Sequence, residues 1–239
     1  MNSYGPKTVT SNLALYLDAG STKSYSGSGT TWTDISNNGR NGTLFTNGAS
    51  GVATYVSGPP SYFQFDAAKL QFVTGFSSNG FGLSGTAPAC TICAWANLTR
   101  RGGVGTVNQY IAGFRNDSNF DFYIVLLDSN GATVNTEARL RTTGGIYDIA
   151  VNYINYFNNW THIAFTASST RTDLYLNGNF VGFNNASGTF GTTTTTFNIG
   201  TGGGAWISGS LAQVQVYTKT FTSSDVLQNY NATKARYGL

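Results

Sequence analysis

Charge is the scarcest commodity in this 239-residue sequence. Only 10% of the residues are Asp, Glu, Lys or Arg, against roughly 25% in an ordinary soluble domain. The 13 basic and 10 acidic side chains give a net charge of +3. They are scattered, and Arg100-Arg101 is the only adjacent basic pair. Binding to nucleic acid through displaced counterions needs a basic stripe, so no nucleic-acid partner is expected. Long apolar runs are also missing. No stretch of about 18 apolar residues exists to form a spanning helix, and Met1 to Thr10 hold no apolar run that could act as a signal peptide. No membrane insertion is expected, and the chain should be made in the cytosol and remain soluble.

Three chemically useful residue types are nearly absent. Glu137 is the only glutamate and His162 the only histidine. The two cysteines, Cys90 and Cys93, form Cys-Thr-Ile-Cys, but a redox or zinc site needs a turn, a helix start or a second ligand pair. Thr91 to Ala96 has the alternation of a strand, on which residues three apart face opposite sides, so both cysteines are expected to be small packing residues. Helical periodicity is confined to the last segment. There Thr222 with Asp225 three residues on forms a capping pattern, and Val226, Leu227 and Tyr230 are expected on one face.

What the sequence does have is apolar and aromatic material: 40% hydrophobic residues, among them 16 Phe, 14 Tyr and 4 Trp. That is enough to bury a sizeable core, and a β-sandwich of this length is commonly one unit, so a single domain over 1–239 is expected. Alternating runs bounded by turn residues recur from end to end. Leu13 to Leu17, Tyr62 to Phe65, Leu70 to Val73, Trp160 to Thr166 and Leu211 to Tyr217 are examples. The longest run sets Phe120, Phe122, Ile124 and Leu126 against Asp121, Tyr123, Val125 and Leu127, which makes it a central strand with two apolar faces. Asp173 to Leu176, Asn177-Gly178 and Asn179 to Val181 make a hairpin with the dipeptide a type I′ turn prefers. The expected fold is all-β: an antiparallel two-sheet sandwich with a short C-terminal helix.

Several segments, in this order, carry a family likeness. Leu15-Tyr16-Leu17-Asp18-Ala19-Gly20 is followed by Thr31 to Gly39 and Asn41 to Leu44; then come Thr91 to Trp95, Trp160 to Thr166 with Leu174 to Gly178, Asn198-Ile199-Gly200, Gly209 to Tyr217 and the terminal helix. Together they resemble the laminin-G-like, or concanavalin A-like lectin/glucanase, jelly roll over essentially the whole chain. The opening Leu-Asp-Ala-Gly segment and Val226 to Leu239 are similar to versions of this domain in virion structural proteins of tailed bacteriophages, especially marine ones. That likeness implies a virion surface protein, a capsid decoration or a tail or fibre appendage. Its partners would be other virion proteins, copies of itself and a host-surface glycan. The absence of a signal peptide agrees with assembly in the host cytoplasm. The alternative is a free carbohydrate-binding lectin module, and a third reading is a glycan-cleaving enzyme.

The enzyme reading finds little support in the residues. Glucanases of this superfamily use paired carboxylates, whereas the neighbours of Glu137 supply no second acid, and Asp117 with Asp121 reads as turn and strand-edge charge. His162 lacks a Gly-x-Ser-x-Gly elbow. Gly80-Phe81-Gly82-Leu83-Ser84-Gly85 matches a dinucleotide fingerprint literally, but Pro88 and a strand follow where a helix is required. No catalytic residue is expected. No cofactor is expected either, although calcium stays open. The family often holds it near Phe-Asp-Gly-x-x-Asp, where this chain has Phe65-Asp66-Ala67-Ala68-Lys69-Leu70, and Asp18, Asp34 and Asn38 can order the opening loops with or without an ion. For ligand binding, Tyr147, Tyr153, Tyr156 and Trp206 are the candidates, because sugar rings stack on flat side chains. Core packing or a subunit contact would account for the same aromatic residues.

Overall fold

The computed structural model describes residues 7–48, 51–76, 80–101, 107–116, 119–128, 134–192 and 195–239. The first strands are β1 (Leu13–Asp18), β2 (Thr31–Trp32), β3 (Gly42–Thr46), β4 (Thr54–Val56), β5 (Tyr62–Phe65) and β6 (Gln71–Thr74). The long central ones are β7 (Cys90–Leu98), β8 (Val107–Arg115), β9 (Asp121–Asp128), β10 (Val134–Thr142), β11 (Gly145–Asn152) and β12 (Thr161–Ala167). The series closes with β13 (Arg171–Leu176), β14 (Asn179–Asn185), β15 (Phe197–Ile199), β16 (Thr201–Gly202), β17 (Ala205–Trp206) and β18 (Gly209–Tyr217), then helix α1 (Ser223–Thr233).

Two antiparallel sheets result. The first runs β14-β13-β12-β7-β18-β5-β4, with β1 also paired to β18; the second runs β11-β10-β9-β8-β15-β6-β3-β2. Alternation decides what each strand gives to the interior. From β7, Cys90, Ile92, Ala94 and Ala96 enter the main core, and from β9 Phe122, Ile124 and Leu126 enter it from the opposite side. The rings of Phe122 and Phe165 stack across the gap at 4.5 Å. Near β2, Trp32 meets Phe63 edge-on at 4.7 Å. The two-sheet sandwich with one terminal helix is therefore as the alternation requires, and β9 is an interior strand.

The outer face of the first sheet is covered by the C-terminal segment. Cys93 and Trp95, on the side of β7 away from Cys90, pack under it, and both cysteines are buried free thiols. Trp95 stacks against Tyr237 at 3.9 Å and donates its indole N–H to Thr233 Oγ1 at 2.8 Å. The capping box of Thr222 and Asp225 is formed. Of the expected stripe of α1, Val226 and Tyr230 pack inward, while Leu227 is 46% exposed. Asn229 and Thr233 complete the buried face. The Asn229 side chain accepts from Val9 N and donates to Gln215 and Tyr217, so hydrogen bonds as well as hydrophobicity select that face. The segment is then locked by Arg236, whose guanidinium donates two hydrogen bonds to buried Asp18 at 2.8 and 2.7 Å.

The β13–β14 turn is left-handed at both Asn177 (φ 50) and Gly178 (φ 77), the type I′ geometry anticipated for Asn-Gly. One difference occurs at Leu70, which ends a short 3-10 turn in the left-handed region before β6 begins at Gln71. Strand alternation alone gives no sign of that break. The Gly80 to Gly85 segment leads through a single 3-10 turn toward β7 and meets no helix. No helix among the described residues is long and apolar enough to cross a membrane.

His162 lies between Trp95 and Tyr230, and its Nδ1 meets no protein hydrogen-bond partner among the described residues. Burial pushes its imidazole down to about 3 from 6.5. The unfolded chain therefore takes up a proton between those values that the folded chain refuses. Stability should fall as pH drops from 6.5 towards 3, by up to about 1.4 kcal/mol per pH unit. Urea melts of the parent and of His162→Phe between pH 5 and 6.5 should diverge, with the variant losing that part of the slope; parallel curves would show that this histidine is not held neutral.

Candidate functional site

On the outer face of the second sheet Tyr110, Asp121, Tyr123 and Val125 are buried, and the register of four neighbouring strands sorts charged residues around them. On β9, Asp121, Tyr123, Val125 and Leu127 point away from the core. Opposite them on β10 stand Arg141, Arg139, Glu137 and Asn135. Beyond these, β11 sets Asp148 opposite Arg139, and β8 sets Arg115 opposite Asp121. Six charged side chains of a charge-poor chain thus share one face: Arg115, Asp121, Glu137, Arg139, Arg141 and Asp148. The charged members recur at every second residue of β10, as they must to share a side.

The groups are tightly partnered. Arg139 holds Asp148 through two hydrogen bonds of 2.7 Å each, and its Nη2 also reaches Glu137 Oε1 at 3.3 Å. Arg141 is ion-paired with buried Asp121 at 2.9 Å. Two guanidiniums flank the Tyr123 ring, Arg115 at 5.5 Å and Arg139 at 5.8 Å. Burial pushes the Tyr123 hydroxyl up to about 12, against the opposing pull of Arg139 and Arg115. Burial also raises the Glu137 carboxyl above its usual range, assisted by the negative charge of Asp148. Hydrogen bonding to Asp148 keeps Arg139 firmly protonated. Asn108, Arg115, Glu137, Arg139 and Ala205 border a cavity of about 270 Å³ above Tyr123 and Val125.

A small hairpin, β16–β17, stands beside this cavity against β8. A Cβ at Gly202 would lie 2.3 Å from the Tyr110 ring, and one at Gly203 would lie 1.9 Å from the Arg115 guanidinium, which would have to move aside. Arg115 donates to the Gly202 carbonyl at 3.2 Å. On the far side of the hairpin, Trp206 meets Phe72 of β6 at 5.7 Å, and Phe72 meets Phe45 of β3 at 5.3 Å. Phe45 is 46% exposed, whereas Phe72 beneath it is 9% exposed. An aromatic patch therefore lies on the same face as the charged cavity.

Of the four aromatic candidates, Tyr153 and Tyr156 meet at 5.2 Å, but no single site gathers all four. Trp206 belongs to the patch just described. Tyr153 is fully buried and packs on Tyr156 and Phe157; it presents no ring to a ligand, because the short turn after β11 folds it into the main core. Tyr156 is half-buried against that core. Tyr147 is half-buried on β11, and its hydroxyl shares a hydrogen bond with Ser187 Oγ at 2.8 Å. The neighbours of Glu137 in sequence supply no acid, but its neighbours in space do: the β10–β11 hairpin brings Asp148 to the same guanidinium. Asp117 lies outside the described residues. The missed residues, Arg115, Tyr123, Glu137, Arg139, Asp148, Phe45 and Phe72, left one sequence signal. Polar Asn135, Glu137, Arg139 and Arg141 alternate along a strand.

The residues proposed for calcium are engaged elsewhere. Asp18 is bound to Arg236, and Asp34 accepts from Tyr16 N, Ser36 N, Ser36 Oγ and Arg40 N. Asp66 caps the 3-10 turn through Ala68 N and has Lys69 Nζ at 3.9 Å. A hard cation wants six to eight oxygens, and an ammonium beside the only carboxylate opposes it, so these residues do not fit the ion. No cluster of three or more His, Cys, Asp or Glu side chains suited to a metal occurs among the described residues.

The model of the concanavalin A-like lectin/glucanases superfamily, Laminin_G_3, matches residues 74–227. The chain belongs to that superfamily. Solved structures agree in fold. The binding domain of botulinum neurotoxin DC, in complex with rat synaptotagmin II, superposes with a TM-score of 0.69 at 11% identity over 95% of this chain and 52% of that one. The binding domain of Paraclostridial Mosquitocidal Protein 1 gives 0.62 at 20% identity over 92% and 52%. The chain thus spans about half the length of these toxin domains. Domain 4 of AbnA, an extracellular arabinanase from Geobacillus stearothermophilus solved with arabinotriose, gives 0.64 at 17% identity, over 92% of this chain and 98% of that one. No curated protein sequence matches the chain. At these identities the likeness to solved structures concerns the jelly-roll fold alone.

The state of Glu137 is measurable. A carbon-detected NMR titration should place its carboxyl above that of an exposed glutamate. Asp148→Asn should bring it down, since the change removes a neighbouring negative charge and frees Arg139 to serve Glu137. An unmoved titration in the variant would break the link between the two acids.

Proposed function

We propose that this protein is a non-catalytic, lectin-like module that binds carbohydrate on the outer face of its second sheet. The observation that carries the proposal is the pairing, on one face, of a cavity edged by guanidinium and carboxylate groups with an aromatic cluster that exposes Phe45. Sugar hydroxyls are recognised by planar groups that donate or accept two hydrogen bonds at once, and the apolar faces of sugar rings rest on aromatic side chains. The arabinotriose bound to the similar arabinanase domain is consistent with such a ligand.

The carboxylates argue for holding and against cleaving. Glycoside hydrolysis needs one protonated carboxyl and one carboxylate free to attack or to activate water. Here both oxygens of Asp148 are occupied by Arg139, and the same guanidinium reaches Glu137. Such an arrangement is rigid and suits recognition.

The setting implied by the resemblance, a structural protein on the surface of a tailed bacteriophage, is part of the proposal. One structural observation favours a role in assembly. Phe180 and Phe183, on the edge strand β14, are 49% and 51% exposed and lie together at 6.4 Å beside the Arg171 guanidinium, and contiguous exposed apolar patches mark contact surfaces. In that setting the aromatic edge would meet neighbouring particle proteins or further copies, leaving the opposite sheet for a host glycan.

Two measurements test these statements. On a glycan array the protein should bind a subset of carbohydrates, and incubation with the bound ones should release no new reducing ends; absence of binding across the array, or steady turnover, would refute the corresponding half. Mass spectrometry of purified particles should find the chain among the virion proteins, and its exclusion from them would remove the phage assignment.

A further inference from the structure

The outer face of the second sheet is divided by the β16–β17 hairpin, and the two halves differ chemically. On the β8–β11 side the six charged residues balance, three guanidiniums against three carboxylates. On the β6–β3 side Trp206, Phe72 and Phe45 form an uncharged aromatic patch. From β8, which borders the cavity with Asn108 and Arg115, to β3, which carries the exposed Phe45, the sheet order runs β8-β15-β6-β3. That is three strand spacings, roughly 14 Å, more than one or two sugar rings cover. Between the halves the ridge is low. Its tip is Gly202-Gly203-Gly204, and a Cβ placed at Gly204 would have nothing within 4 Å. Next to it, Asn198 of β15 points outward between core-facing Phe197 and Ile199, adding a polar group on the path.

Resting on the glycan-binding reading, we infer that the ligand is one extended, uncharged polysaccharide segment, laid across the strands. It would contact the aromatic patch with one portion and the guanidinium–carboxylate cavity with another, passing over the glycine tip. The charge balance argues against an acidic polymer, because each guanidinium stands beside a carboxylate that would repel the added anion. It argues equally against a cationic one. A dense set of fixed donors and acceptors with no net charge matches a chain of neutral hydroxylated rings. The three strand spacings between the cavity edge on β8 and Phe45 on β3 make binding depend on chain length, since the second contact becomes intramolecular once the first is made.

The test begins with affinity gels containing soluble arabinan, xylan, β-glucan and mannan as neutral polymers, and alginate and polygalacturonate as acidic ones. For any polymer that retards the protein, calorimetry follows with its di- to hexasaccharides. Retardation by a neutral polymer, with the hexasaccharide bound at least tenfold more tightly than the disaccharide, supports the inference. Trp206→Ala and the more exposed Phe45→Ala should each remove most of that length-dependent gain. Glu137→Gln should weaken short and long ligands alike. Thermal melts confirm that each variant is folded, and Phe45→Ala keeps the test decisive if Trp206→Ala is not. Equal affinity for di- and hexasaccharide, retardation by acidic polymers alone, or full-length affinity in the folded Phe45→Ala protein would overturn the extended-chain inference while leaving carbohydrate binding intact. If no polymer retards the protein and the glycan array is blank, the binding reading fails, and this inference with it.

Discussion

A strand shows its side chains alternately to two sides, so every position the core claims hands the next to the opposite face. This constraint organises the whole molecule. On β9 the core takes Phe122, Ile124 and Leu126, which obliges Asp121, Tyr123, Val125 and Leu127 to stand together on the outside. On β7 it takes Ile92, Ala94 and Ala96, which obliges Cys93 and Trp95 to find cover elsewhere. The close packing of Phe122 on Phe165 fixes how the sheets meet, and the outer faces inherit their residues from that fit.

The two outer faces resolve the obligation in opposite ways. The first sheet covers its outward residues with its own C-terminal segment: Trp95 lies under Tyr237, and Asn229 and Thr233 accept the polar edges that an apolar helix could not serve. The bidentate Arg236–Asp18 pair closes this arrangement. Such a pair costs desolvation, so its worth lies as much in fixing where the segment docks as in net stability. The second sheet neutralises its outward charges against one another in place, so that Arg139, Glu137, Asp148, Arg141 and Asp121 stand in fixed geometry. A preformed face of this kind needs little rearrangement to receive a ligand.

On the proposed reading, the same geometry lets the face hold a sugar without cleaving it. Glu137 is half-buried with a raised carboxyl, a property shared with general acids, and Asp148 is close by. A single guanidinium, that of Arg139, stands between them as a shared partner. A perturbed carboxyl in a cavity is a sign of a constrained site, and here the constraint is the salt-bridged network.

Much of the fold was legible because it is written in local terms: period-two alternation, the Asn177-Gly178 turn and the Thr222–Asp225 cap each depend on residues a few positions apart. Local rules failed where polar residues replaced apolar ones, as with Asn229 on the buried side of α1, and where a single left-handed residue, Leu70, interrupts a strand-like run. Of the site, the sequence held Trp206 and the alternating acids and bases of β10, but their neighbours were set by strand pairing. Trp206 touches Phe72, and Tyr123 stands between Arg115 and Arg139, through registers that join distant parts of the chain. The sequence by itself determined the layers, since alternation alone decides which residues leave water. Only the tertiary structure decided which outward residues become neighbours, because a shift of one residue in register sends every side chain of a strand to the other face, and the packing of the complete core selects that register.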